Sequence, residues 1–178
     1  MATTNTQNMR GATRAAAREI DIGLTEEQRH GVMEILTRLL ADEYVLYTKT
    51  RNYHWNVVGP QFQPLHAFFE EQYKQLNETV DEVAERIRAL DCHTIGTLAE
   101  FLEHNRLQES PGQYPPARDM LRNLVDDHAA VVRYLRDDLV TCENAYNDSG
   151  TRDFLSQLMI DHEKMAWMLR AFVQGESM

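Results

Sequence analysis

The chain has 178 residues, 43% of them hydrophobic, with only 8 Gly and 5 Pro, which suits one ordered helical domain rather than a linker-rich protein. Its net charge of −10 argues against broad electrostatic binding to nucleic acid and suits a protein that collects cations. Cys92 and Cys142 make no disulfide framework and fit a reducing cytosol; no apolar run approaches the ~20 residues of a membrane span, and the first residues lack the apolar stretch of a secretory signal.

Residues 1–22 are small and polar, and are expected to form a flexible tail ahead of one domain over 23–178. Arg10, Arg14 and Arg18 are the tail's only basic residues. A DNA-touching arm needs Lys or Arg for phosphate contacts, and three arginines without a lysine are thin provision for one. Thr25-Glu26-Glu27-Gln28 has the form of a capping box, with Thr25 as N-cap and Gln28 reaching back. It predicts a first helix running to about Asn52 or Trp55, with Val32, Ile35, Leu36, Leu39, Leu40 and Leu46 on its apolar face. Glu27 and His30 form one E-x-x-H. A di-iron site inside a single bundle needs that motif on two helices, so this copy is expected at the surface.

Gly59-Pro60 breaks the chain, and a second helix is predicted from about Gln63 to Leu90. Pro64 suits a first helical turn. Leu65, Phe69, Leu76, Val80, Val83, Ile87 and Leu90 fill one arc of this helix. His66, Glu70, Asp81 and Glu85 fall on the adjoining arc, whereas a solvated charge run would scatter its carboxylates on the far side. A long connection follows, Asp91 to Pro116, holding a possible short helix at Gly96–Glu103. Such a connection can return the chain along a bundle, making the helices on either side parallel. A third long helix is expected from about Ala117 to Ala145, with Leu121, Leu124, His128, Val131 and Leu135 in its core stripe. The turn Asn147-Asp148-Ser149-Gly150 begins a fourth, which runs to about Val173. The pattern is an all-α four-helix bundle with one long crossover between its second and third helices.

The spacing of the metal-capable residues makes a sharper point. His66 and Glu70 are one turn apart, and so are Asp81 and Glu85. The pairs lie 15 positions apart by their numbers, which at 1.5 Å per residue is about 22 Å along the axis. Ligand atoms sit roughly 2 Å from a metal, so one helix cannot bring both pairs to one ion. Either the pairs do unrelated things, or a second copy lies antiparallel across a two-fold axis and two identical sites form per dimer.

These residues carry a resemblance to a known family. Tyr53-His54-Trp55-Asn56-Val57, Gly59, Phe62, Leu65-His66, Phe69-Glu70, Asp81 and Ala84-Glu85-Arg86 resemble, in order and spacing, the Dps proteins (DNA-binding proteins from starved cells), the miniature ferritins. The similarity extends over residues 24–174, including His162-Glu163-Lys164 and Trp167, and leaves out the tail. It implies a ferritin-like fold. It implies Asp81 and Glu85 as carboxylate ligands from one subunit, His54 and His66 as histidines from the two-fold partner, and Glu70 as a ligand to a second iron or its bridging water. Fe(II) is the implied metal, with Zn(II) possible on the same imidazole and carboxylate set. Trp55 resembles the aromatic beside the site that passes an electron and quenches radicals; plain packing is the ordinary alternative. Asp148 and Asp153 resemble acidic residues lining three-fold pores, against the alternative that they cap a helix and suit its dipole. Glu71 is a candidate for nucleating mineral on a cavity wall.

The resemblance implies a ferroxidase that stores iron. Twelve chains form a hollow shell, Fe(II) enters through acidic pores, and pairs of ferrous ions reduce hydrogen peroxide, or more slowly dioxygen, so that DNA and cell are spared oxidative damage. The expected location is the cytoplasm, or the nucleoid if DNA is bound. The competing reading is a nucleoid-associated structural protein that compacts DNA, which the charge of −10 disfavours.

Overall fold

A computed structural model describes residues 20–175. Arg10, Arg14, Arg18 and almost all of the expected tail lie outside the described residues. Five helices follow in order: α1 Glu26–Asn56, α2 Phe62–Ala89, α3 Leu98–His104, α4 Ala117–Asn144 and α5 Ser149–Gly175. The expected all-α bundle with its short crossover helix is the architecture found; the end of α1 lies one to four residues beyond the expected positions and the other boundaries within two. None of the described helices is long and apolar enough to cross a membrane.

Local chemistry sets the helix ends. The capping box at Thr25 is formed: its Oγ1 accepts from the Gln28 N–H at 3.2 Å, and Gln28 Oε1 accepts from the Thr25 N–H at 2.8 Å. A second box, Thr97 with Glu100, starts α3, which is why that helix begins at Leu98 rather than at Gly96. Pro64 sits in the first turn of α2, where its missing N–H leaves no partner unsatisfied. Glu27 and His30 are exposed, as their lone motif led one to expect.

The short 57–61 and 145–148 connections make α1/α2 and α4/α5 hairpins, and these two hairpins form the bundle. The core is one cluster of buried side chains from all five helices. Leu36, Leu39, Leu65, Phe69, Leu76, Leu121, Leu124 and Leu169 are fully buried. At roughly 1.5–3 kcal/mol for each such side chain, this burial is the main force holding the hairpins together. Two details fix their placement. A Cβ at Gly31 would lie 2.2 Å from the Tyr146 ring, so only glycine lets the α4–α5 turn close against α1. In the crossover, the Arg106 N–H and Nε–H donate to the two oxygens of Asp42 at 2.6 and 2.7 Å. The Arg106 guanidinium lies 4.0 Å from the Tyr134 ring centroid and 3.5 Å from Asp138. Burial pushes the Asp42 carboxyl pKa up, and the Arg106 charge opposes that rise. The crossover is therefore tied to α1 and α4 by Arg106, which pairs with two buried carboxylates.

Candidate metal centre

The α1–α2 turn brings two histidines together. α1 ends where the Val57 N–H donates to the Tyr53 carbonyl at 2.9 Å. Gly59 then takes φ +110°, a conformation that favours glycine, and its carbonyl receives the Phe62 N–H at 3.0 Å. This tight reversal sets the last turn of α1 against the first turns of α2. His54 and His66 stack with ring centroids 3.7 Å apart. Each bonds the other's backbone: His54 Nδ1 is 2.8 Å from the His66 carbonyl oxygen, and His66 Nδ1 is 2.8 Å from the His54 carbonyl oxygen. A carbonyl only accepts, so both Nδ1 atoms carry the proton when the rings are neutral. The lone pair is then on each Nε2, and neither Nε2 has a hydrogen-bond partner among the described residues. This is the arrangement that fixes ring and tautomer in metal-binding histidines. Phe62 stacks over His66 at 5.1 Å, and Tyr73 meets His54 edge-on at 5.2 Å.

Glu70, one turn beyond His66, is half-buried and pairs with Lys74 at 2.6 Å. The hydrogen bond and charge of Lys74 hold the Glu70 carboxyl below the usual range, with smaller help from His54 and His66. Asp81 and Glu85 are exposed, further along α2. Like charges one helical turn apart repel, and a cation placed between them would relieve that repulsion. Among the described residues, no three His, Cys, Asp or Glu side chains come together as a metal site. One chain thus brings His54 and His66 together at one end of α2, with Glu70 a turn further on and paired with Lys74, and carries Asp81 and Glu85 towards the other end.

Four further expected residues fall as follows. Asp148 is buried: its Oδ1 accepts from the Thr151 N–H at 2.9 Å, its Oδ2 from the Thr151 hydroxyl at 2.6 Å, and Arg86 Nη2 lies 3.1 and 3.2 Å from the two oxygens. It is the N-cap of α5 and a salt-bridge partner. Within the protomer its carboxylate is thus engaged by Thr151 and Arg86. Asp153 is exposed and pairs with Arg152. Trp55 is 63% exposed, and the Arg51 guanidinium lies 5.1 Å from its ring centroid. Glu71 is exposed.

A second polar cluster lies in the bundle core. His162 Nε2 of α5 is 2.7 Å from Glu43 Oε1 of α1, and His162 Nδ1 is 2.8 Å from His128 Nδ1 of α4. All three residues are essentially inaccessible to solvent. Burial, and then the neighbouring His162, push the His128 pKa well below its ordinary value, so that ring is neutral. Sequence periodicity placed His128 on the core face. It could not see that Glu43, amid apolar neighbours, would meet His162 across 119 positions.

Residues 33–178 match the family model described as a ferritin-like domain. An uncharacterised low temperature-induced protein of Nostoc sp. is 48% identical over 157 residues, covering 88% of each chain. The DNA protection during starvation protein 2 of Bacillus anthracis is 38% identical over 142 residues, covering 80% of this chain and 96% of that one. The structure of the Dps protein from Vibrio cholerae O1, described as a member of a broad superfamily of ferritin-like diiron-carboxylate proteins, superposes with a TM-score of 0.80 at 34% identity. It covers 85% of this chain and 94% of the other.

Proposed function

Because this chain belongs to the Dps family of ferritin-like proteins, we propose that it binds Fe(II) at sites shared between two-fold-related copies, oxidises it with hydrogen peroxide or dioxygen, and stores the ferric product inside a shell of twelve chains. The observation that carries this reading is the reciprocal backbone clamp on His54 and His66, which leaves two Nε2 lone pairs on one small patch.

Each site takes His54 and His66 from one copy and Asp81 and Glu85 from its two-fold partner; the separation of the two pairs along α2 supports this reading. Iron is the substrate. The first ferrous ion is held by both kinds of ligand, and Glu70 turns from Lys74 to the second. Each ferrous ion gives up one electron; peroxide takes both, with two protons, and leaves as water. Paired transfer releases no hydroxyl radical. Imidazole and carboxylate also suit Zn(II), which then competes for the site as a redox-inert inhibitor. Asp153 supplies exposed charge that draws cations to a passage through the shell, and Glu71 seeds mineral on its inner wall. Taking iron and peroxide out of circulation together protects the cell, DNA included, in the cytoplasm.

Mixing two damaged chains tests the shared site. One variant lacks His54 and His66; the other lacks Asp81 and Glu85. Each alone forms a shell and loses fast iron oxidation. After unfolding, mixing and reassembly, about half the dimers are mixed. In each of these, one site receives both damaged halves and the other both intact halves, so roughly a quarter of all sites recover. Activity that stays at background after verified co-assembly rules out the inter-subunit reading.

A further inference from the structure

Besides His66, the ring that meets His54 is the phenol of Tyr73, at 5.2 Å and edge-on, while Trp55 is 63% exposed beside Arg51. Behind Tyr73 stands a row of rings. Tyr47 is 6.2 Å from Tyr73, Tyr44 is 5.9 Å from Tyr47, and Tyr44 stacks on Phe101 at 4.2 Å. Each gap is an ordinary aromatic contact. The row leads from a proposed iron ligand to the crossover helix α3.

Arg51 gives this row a direction. Its guanidinium lies 5.1 Å from the Trp55 ring centroid, 5.7 Å from that of Tyr73 and 5.8 Å from that of Tyr47. It also donates to the Tyr47 hydroxyl at 2.5 Å. A cation over an aromatic face is attracted to the ring's electron density, so removing an electron from that ring forfeits the attraction. Trp55, Tyr73 and Tyr47 are all made harder to oxidise in this way. Among the described residues Arg51 makes no cation–π contact or hydrogen bond with Tyr44, which is half-buried against Phe101.

We propose that Tyr73, Tyr47 and Tyr44 form a path that carries a single oxidising equivalent away from a half-filled iron site and holds it on Tyr44. This rests on the iron site proposed above. When a site holds one ferrous ion, peroxide draws one electron from it and lacks the second. Tyr73 supplies that electron and loses its phenolic proton. The balance is one Fe(II), one peroxide, one phenol and one proton giving Fe(III), two waters and a tyrosyl radical. Tyr73 regains an electron and a proton from Tyr47, and Tyr47 from Tyr44. A later ferrous ion, with a proton, returns Tyr44 to the phenol. The path gives the site a fate for peroxide when iron is scarce.

The test uses the full-length shell with less Fe(II) than it has sites, loaded without oxygen, pulsed with peroxide and freeze-quenched for electron paramagnetic resonance. Iron oxidised is measured in the same samples, and assembly is checked by light scattering. The wild type is expected to give a tyrosyl signal. Y73F is expected to lose most of the radical formed per iron oxidised, Y44F to shift the hyperfine pattern to other rings, and W55F to retain the wild-type signal. A wild type that oxidises iron without a tyrosyl signal overturns the path, as do a Y73F signal equal to wild type and a W55F that abolishes it. If the wild type oxidises no iron, the ferroxidase reading fails, and the path is judged separately in the metal-free shell. There, flash-generated ruthenium(III) tris-bipyridine withdraws one electron. A radical present in wild type and shifted to other rings or lost in Y44F supports the path; no radical, or the same one in both, overturns it.

Discussion

Acidification destabilises this bundle through His128, by an amount that can be worked out. The ring is fully buried on α4, faced by His162 of α5, which in turn bonds Glu43 of α1. Burial is the main reason its pKa lies well below the ordinary value. In the unfolded chain it titrates near 6.5. Between the two values the unfolded chain holds a proton that the folded chain does not, so stability is complete above about pH 6.5 and falls as the pH drops towards the folded value. The slope is up to about 1.4 kcal/mol per pH unit per chain, or roughly 2 kcal/mol by pH 5. Asp42, Asp127 and Asp138 have carboxyls raised chiefly by burial, which gives the opposite slope. Those terms are common to wild type and a His128→Gln variant, and cancel in the difference. Urea unfolding followed by circular dichroism across about pH 5–7, at fixed protein concentration because assembly raises apparent stability, is the assay. The wild-type curve should lose stability faster than the variant's by up to one proton per chain. Parallel curves would mean that His128 is already solvated or charged in the folded protein, and the argument from its burial would be wrong.

Gly31→Ala places a methyl group against the Tyr146 ring, and should cost about 1–3 kcal/mol in the same unfolding assay unless the α4–α5 turn moves freely. Asp148→Ala removes the α5 cap and the Arg86 partner, and should cost roughly 2 kcal/mol in denaturant unfolding. Asp153→Asn should change stability by less than about 0.5 kcal/mol while slowing iron uptake in stopped-flow absorbance; unchanged uptake would reduce Asp153 to a surface charge. Duplex DNA should form no stable complex in a gel-shift near ~150 mM salt, given the net charge of −10; a retarded band at that salt would restore DNA compaction as a function.

Much of the protein was determined by the sequence alone, because the signals are local or periodic. The Thr25 box, the breaks at Gly59-Pro60 and Asn147–Gly150, and the apolar stripes define four long helices without reference to one another. The distance between His66 and Asp81 along one rigid helix likewise forces a choice between separate roles and a second copy, before any fold is known. Only the tertiary structure decided what depends on residues far apart in the chain. It set His54 Nδ1 on the His66 carbonyl and His66 Nδ1 on the His54 carbonyl, and it paired Glu43 with His162. It also turned Asp148 inward to Thr151 and Arg86, and put Tyr73 rather than Trp55 against the His54 ring. Helical periodicity assigns a side chain to a face of its own helix. Which atoms it then meets depends on how the hairpins cross and how the turns close, and that is settled by packing, which carries no period in the sequence.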